Sequence, residues 1–118
     1  MIVAIVQFDL PSGMTLSEAT ATVFEPSVSK YRSMSGLVRK NYLFGHGKGG
    51  GVYLWDSIKS AESAYSPEWR SMMFARFGST PTVTYFDSPI EVDNSASGKG
   101  LVESSPPSQA LPTTLRPS

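Results

Sequence analysis

The side chains of this chain best suited to chemistry sit on two aromatic segments, GLVRKNYLF (36–44) and VYLWDS (52–57). The first sets Arg39, Lys40, Asn41 and Tyr42 in succession. The second adds Tyr53 and Trp55, and Tyr65, Trp69 and Tyr85 follow further on. Cationic or amide groups among phenols and indoles can hydrogen-bond a ring oxygen, move its proton and stack on its plane. In a strand, alternation places Arg39 and Asn41 on one face and Lys40 and Tyr42 on the other. On that basis Asn41, Trp55 and Arg39 are the candidate catalytic residues. Tyr53, Tyr65, Trp69, Tyr85, Tyr42 and Lys40 are the candidate substrate-binding set. Each has a plainer alternative. Arg39 can pair with Asp56, Asp87 or Glu91, because a charge in a strand needs a partner. Asn41 can bond to backbone, the aromatics can be core, and Lys40 can snorkel rather than act as a buried base of depressed pKa.

Composition closes off other chemistry. With no cysteine there is no disulfide, thiolate nucleophile or zinc–cysteine site. The single histidine, His46, lies in a glycine-rich stretch and reads as an exposed loop residue; a two-histidine, one-carboxylate iron site cannot be assembled, and no metal site is expected. Gly45, Gly47 and Gly50 spell G-x-G-x-x-G around Lys48. A phosphate site of that type requires a helix next, to offer its N-terminus. Strand-forming Val52 to Trp55 follows instead, so the glycines read as a hairpin loop.

These side chains need a scaffold, and the local signals supply one. Ile2 to Phe8 is a β-prone run, and Thr15 with Glu18 spells a capping box that opens a helix through Tyr31. Pro26 falls inside that helix and implies a kink or a division. Gly36 precedes strands over Leu37 to Phe44 and Val52 to Trp55. Ser57 caps a short helix, Ser66-Pro67 opens another that Gly78 closes, and Pro81 to Asp87 is the last strand. On that last helix Met72, Met73, Phe74 and Phe77 are expected to fill the core. The order β-α-β-β-α-β predicts an α+β, ferredoxin-like fold with a four-stranded antiparallel sheet. Residues 1–92 form the domain, and 93–118, rich in Ser and Pro without aromatics, read as a disordered tail.

A domain of this size buries only about 60% of its unfolded surface. Both faces of the central strands are partly apolar, so a second sheet is expected over the open face, and a homodimer supplies it. Formal charge is zero, which argues against nucleic acid as a partner. The apolar start is short, lacks a basic lead and meets Asp9, so neither a membrane span nor a signal peptide is expected and the location reads as cytoplasmic.

The succession of kinked helix ending in Lys30-Tyr31, GLVRKNYLF, GGVYLWDS, Tyr65-Ser66-x-Glu68-Trp69-Arg70 and Thr84-Tyr85-Phe86-Asp87 resembles the YdhR-like members of the antibiotic-biosynthesis-monooxygenase group, over residues 2–92. The resemblance implies a dimeric α+β barrel with a pocket between sheet and helices in each subunit. It also implies a monooxygenase that oxidises phenolic or anthrone-like aromatics with O2 and without a cofactor. No flavin or nicotinamide fingerprint is present, so the electrons must come from the substrate. Two alternatives stand beside it, a non-catalytic dimer that binds a hydrophobic metabolite and a stress or interaction protein with a filled barrel.

Overall fold

Strand β1 (Ile2–Asp9) runs through the middle of the sheet, its even-numbered residues Ala4, Val6 and Phe8 buried beneath the helices. The computed structural model describes residues 1–95, with the backbone of two-residue strands at Ser97–Gly98 and Gly100–Leu101. Most of the tail expected over 93–118 lies outside the described residues. Strands β2 (Leu37–Gly45), β3 (Lys48–Trp55) and β4 (Thr82–Asp87) complete an antiparallel sheet of order β2-β3-β1-β4. Helices α1 (Leu16–Ala19), α2 (Glu25–Arg32), α3 (Ile58–Ala64) and α4 (Pro67–Phe77) connect the strands. The α+β, ferredoxin-like fold is therefore present as expected.

Local chemistry explains the helix boundaries. Both halves of the Thr15–Glu18 capping box are made, and Ser57 and Ser66 cap α3 and α4. Gly78 ends α4 at φ 78°, a left-handed conformation that other residues resist. Between α1 and α2 the chain widens into a π turn over Thr20–Phe24, which divides the first helix just before Pro26. Proline has no N–H to offer the preceding turn. The Thr22 carbonyl, four residues earlier, instead accepts a 2.9 Å hydrogen bond from Arg76 of α4. The division thus joins the two helical connections.

Two strand boundaries differ from the sequence reading. β3 begins at Lys48 rather than near Val52, so Gly49, Gly50 and Gly51 are strand residues rather than loop. The hairpin itself is only His46 and Gly47, both at positive φ (55° and 74°), as a tight primed turn requires. Close approach accounts for the strand glycines: a Cβ on Gly50 would collide with the Val6 carbonyl of β1. In β2 a bulge between Leu37 and Arg39 leaves Leu37 opposite Trp55 and Arg39 opposite Leu54. Leu37 therefore parts from the face of Arg39, Asn41 and Leu43, on which strict alternation would have put it.

In α4, Met73 is buried and the Phe77 ring lies tilted against Phe8, centroids 4.6 Å apart. Met72 and Phe74, expected in the same core, are 44% and 55% exposed. Four apolar residues crowded into six positions span more than the buried stripe of an eleven-residue helix can cover.

The strand glycines give a direct test. Gly50→Ala should destabilise the fold by about 1–3 kcal/mol, the usual cost of overpacking. Gly45→Ala, where a Cβ meets nothing within 4 Å, should be nearly neutral. Urea midpoints of the two variants measure the contrast, and equal midpoints would refute the close-approach account.

Candidate functional site

The helix-facing side of β2 and β3 carries Lys40, Tyr42, Tyr53 and Trp55, spaced two apart along each strand. Register pairs Lys40 with Tyr53 and Tyr42 with Gly51. A cavity of about 230 Å³ opens between this surface and helices α2 and α4, with Lys40, Tyr42, Tyr53 and Trp69 in its walls. Helix α2 adds Ser27, Lys30 and Tyr31, which share one helix face because they are spaced three and four apart. Helix α4 adds Met72 and Arg76.

Lys40 is the central group. Its Nζ lies 3.5 Å from the Tyr31 ring centroid, 3.9 Å from that of Tyr42 and 4.5 Å from that of Tyr53. Among the described residues no carboxylate pairs with it. Burial, assisted by the nearby Lys30 ammonium, lowers its pKa from 10.5 to about 7. The three ring faces favour the ammonium and work against that shift. Gly51 leaves the room this needs, since a Cβ there would come within 3.0 Å of Lys40 Cε and 2.9 Å of the Tyr53 ring.

The phenols are held in place. Ser27 donates its hydroxyl hydrogen to the Phe24 carbonyl (2.8 Å), so the Tyr42 hydroxyl is the donor in its 2.6 Å contact with Ser27 Oγ. Burial raises the Tyr31 phenol pKa against the pull of polar contacts from Tyr53 and Trp69, and raises Tyr53 and Tyr65 further. Tyr85 is raised as well, mainly by burial.

The structure divides the nine residues singled out in the sequence into three groups. Lys40, Tyr42, Tyr53 and Trp69 line the cavity. Trp55, Tyr65 and Tyr85 pack behind it. Trp55 is fully buried, lies parallel to Tyr53 at 6.1 Å and donates its indole hydrogen to Tyr65 Oη at 3.1 Å, while Tyr85 reaches the Tyr65 ring at 6.2 Å. Arg39 and Asn41 lie on the opposite face of the sheet. The grouping of Asn41 and Arg39 with Trp55 as candidate catalytic residues is thus corrected, because Arg39 and Asn41 pair with Leu54 and Val52 on the other side of the pleat. There they line a groove of about 340 Å³ with Val3, Leu54 and Ile90. Arg39 forms ion pairs with Glu91 (3.2 Å) and Asp93 (3.5 Å). His46 is exposed in the hairpin turn. Sequence reading missed Tyr31, Lys30 and Arg76 as cavity residues; the spacing of Ser27, Lys30 and Tyr31 was the available signal. Among the described residues no cluster of three His, Cys, Asp or Glu side chains is assembled.

No family model and no curated protein matches this sequence. Solved structures do. A protein of unknown function from Nitrosomonas europaea, NE2512, aligns over 80% of this chain and 95% of its own, with TM-score 0.61 and 14% identity. The monooxygenase from the gene ActVA-Orf6 of Streptomyces coelicolor, in complex with Nanaomycin D, aligns over 80% and 92%, with TM-score 0.55 and 14% identity. An antibiotic biosynthesis monooxygenase aligns over 75% and 98%, with TM-score 0.54 and 15% identity. The chain shares the fold of these structures, two of which are monooxygenases.

The Lys40 environment has a sign that stability measurements can read. Its folded pKa, about 7, lies below the unfolded 10.5, so between those values the unfolded chain binds more protons and stability rises with pH. Below pH 7 both states are protonated and the full cost of burying the charge is present. The difference in urea midpoint, wild type minus Lys40→Met, should therefore increase from pH 7 to pH 9.5, before the tyrosines titrate. A flat difference would show an amine of ordinary pKa.

Proposed function

We propose that this chain is a cofactor-independent monooxygenase of YdhR-like type, acting on a small phenolic or anthrone-like aromatic in the helix-side cavity. The observation that carries the reading is Lys40, an amine without a carboxylate partner among the described residues, enclosed by three tyrosine rings at the wall of an aromatic cavity. An amine with a pKa of about 7 is neutral often enough to take a phenolic or benzylic proton, and the ammonium it becomes stabilises the anion left behind. The electron-rich anion then reduces O2 directly. For an anthrone, the CH2 carbon gains one oxygen atom as a carbonyl and loses two hydrogens, which leave with the second oxygen atom as water. Tyr53 and Trp69 offer ring faces for stacking. The shared fold supports the reading, as does the binding of the ligand Nanaomycin D by the Streptomyces coelicolor monooxygenase.

The same proposal includes a homodimer. Val3, Ile5, Val52 and Leu54 are only half-buried on the open face, and Ile90 and Val92, which line its groove, are 81% and 79% exposed. A second sheet laid there would cover all of them. A cavity of this size counts against the filled-barrel alternative. The non-catalytic binder keeps the cavity and drops the chemistry.

Oxygen consumption with a panel of hydroquinones and anthrones separates these readings. Wild type should turn over at least one of them, and Lys40→Met should lose about 10²–10⁴-fold in rate, the usual contribution of a general base. Thermal stabilisation by the same compounds without oxygen uptake would leave the binder. Sedimentation at micromolar concentration should give a dimer for wild type, with Ile90→Asp shifted toward monomer; a monomeric wild type would refute the paired sheets.

A further inference from the structure

The cavity wall has an uncompensated charge. Lys40 from β2, Lys30 from α2 and Arg76 from α4 all line it, and no aspartate or glutamate does. The ion pairs among the described residues engage Arg39 and Lys48, not these three cations. Lys30 and Lys40 both lie against the Tyr31 ring, their ammonium nitrogens 5.3 Å and 3.5 Å from its centroid. The groups facing Lys40 are Lys30 and Tyr31 of α2, Tyr42 beside it on β2, and Tyr53 of β3. The Tyr31 and Tyr53 phenols stay neutral across the physiological range because burial raises them. None of these groups supplies negative charge. Arg76 spends one N–H on the Thr22 carbonyl and keeps other donors in its guanidinium fork.

We infer that the cavity selects an aromatic ligand bearing a negative charge, a ring carboxylate or an equally acidic substituent, and that Lys40 takes up a proton as this ligand enters. The inference rests on reading the cavity as the ligand site and adds the charge class of what occupies it; Lys40 ends as the ammonium in either case, taking the proton from a ligand that enters neutral, as in the base step proposed above, and from solvent when the ligand enters already ionised. Lys30 and Arg76 are exposed, so their repulsion of Lys40 is screened by solvent; the main gain is an anion pairing with the partly buried Lys40 ammonium, to which the two outer cations add attraction. The volume, about 230 Å³, exceeds the roughly 150 Å³ that accommodates benzene, which leaves space for a two-ring ligand or a ring with its acidic group.

The test uses 2-naphthoate and its uncharged isostere 2-naphthamide, titrated calorimetrically into the full chain between pH 6 and pH 8 in buffers of differing ionisation enthalpy. Naphthoate should bind more tightly on the order of tenfold, a difference well resolved as a ratio of dissociation constants. Its proton uptake should be near zero at pH 6 and rise toward pH 8. Lys40→Met should abolish the uptake and weaken the preference for the anion. Lys40→Arg, which keeps the charge but does not titrate, should retain the preference without the uptake, so a general loss of folding cannot imitate the result. Equal affinity for the two compounds, or uptake that persists in Lys40→Met, would overturn the charge inference while leaving the cavity as a ligand site. Binding of neither would overturn the site reading itself.

Discussion

The buried indole of Trp55 is the constraint from which the rest of the molecule follows. Its ring is wholly removed from water, so its N–H needs an acceptor inside the protein, and Tyr65 Oη provides it. An unsatisfied donor at that depth would cost about 1–3 kcal/mol. The bond fixes the end of β3 to the junction of α3 and α4, where Tyr65 leaves helical geometry just before Pro67 starts the next helix. From Tyr65 the contacts spread edge-on to Tyr53 at 5.5 Å and tilted to Trp69 at 5.1 Å. Two of the three aromatic cavity residues named in the sequence, Tyr53 and Trp69, are thereby positioned by one satisfied donor behind them.

Space for the cavity comes from the opposite device, the removal of side chains. Gly49, Gly50 and Gly51 let β3 approach its neighbours where larger residues would meet Leu10, Phe8 and the Val6 backbone. Over Gly51 the Lys40 stem crosses to reach the tyrosine rings. Along the same strand Gly51 is followed by the large rings of Tyr53 and Trp55. Three ring faces partly offset the cost of withdrawing the Lys40 ammonium from water.

Much of this was legible from local chemistry. The capping box, the serine caps, the Pro67 and Gly78 boundaries and the division at Pro26 depend on a few adjacent residues, and each occurs where the sequence implied. Alternation correctly separated Arg39 and Asn41 from Lys40 and Tyr42. It could not say which face the helices cover, since both carry apolar groups, and so the polar pair was joined to the wrong aromatics. The glycine run misled for a related reason. Glycine weakens strands on propensity, and only the close passage of β1 and β2, a tertiary fact, makes it required there. Met72 and Phe74 show the same limit, because a helix apolar on most sides does not declare its buried stripe. Tyr31 belongs to the cavity through its distance to a strand remote in sequence, which spacing within α2 narrows but does not decide.

Strand β2 links the two faces. It is an edge strand, bulged at its start, and it carries the cavity lysine on one side and Arg39 on the other. On the helix side Tyr42 is tied to Ser27, and on the open side Arg39 meets Glu91 and Asp93. Those ion pairs are exposed and screened by solvent, so in the single chain they orient the segment after β4 more than they stabilise it. Covering the open face with a second sheet, as proposed, would withdraw them from water and raise the penalty for breaking either partner. Arg39 and Lys40 are adjacent on this strand, so the ion pairs on the open face and the cavity lysine share one stretch of backbone. Assembly on one face and charge on the other would then be properties of the same nine residues, Leu37–Gly45.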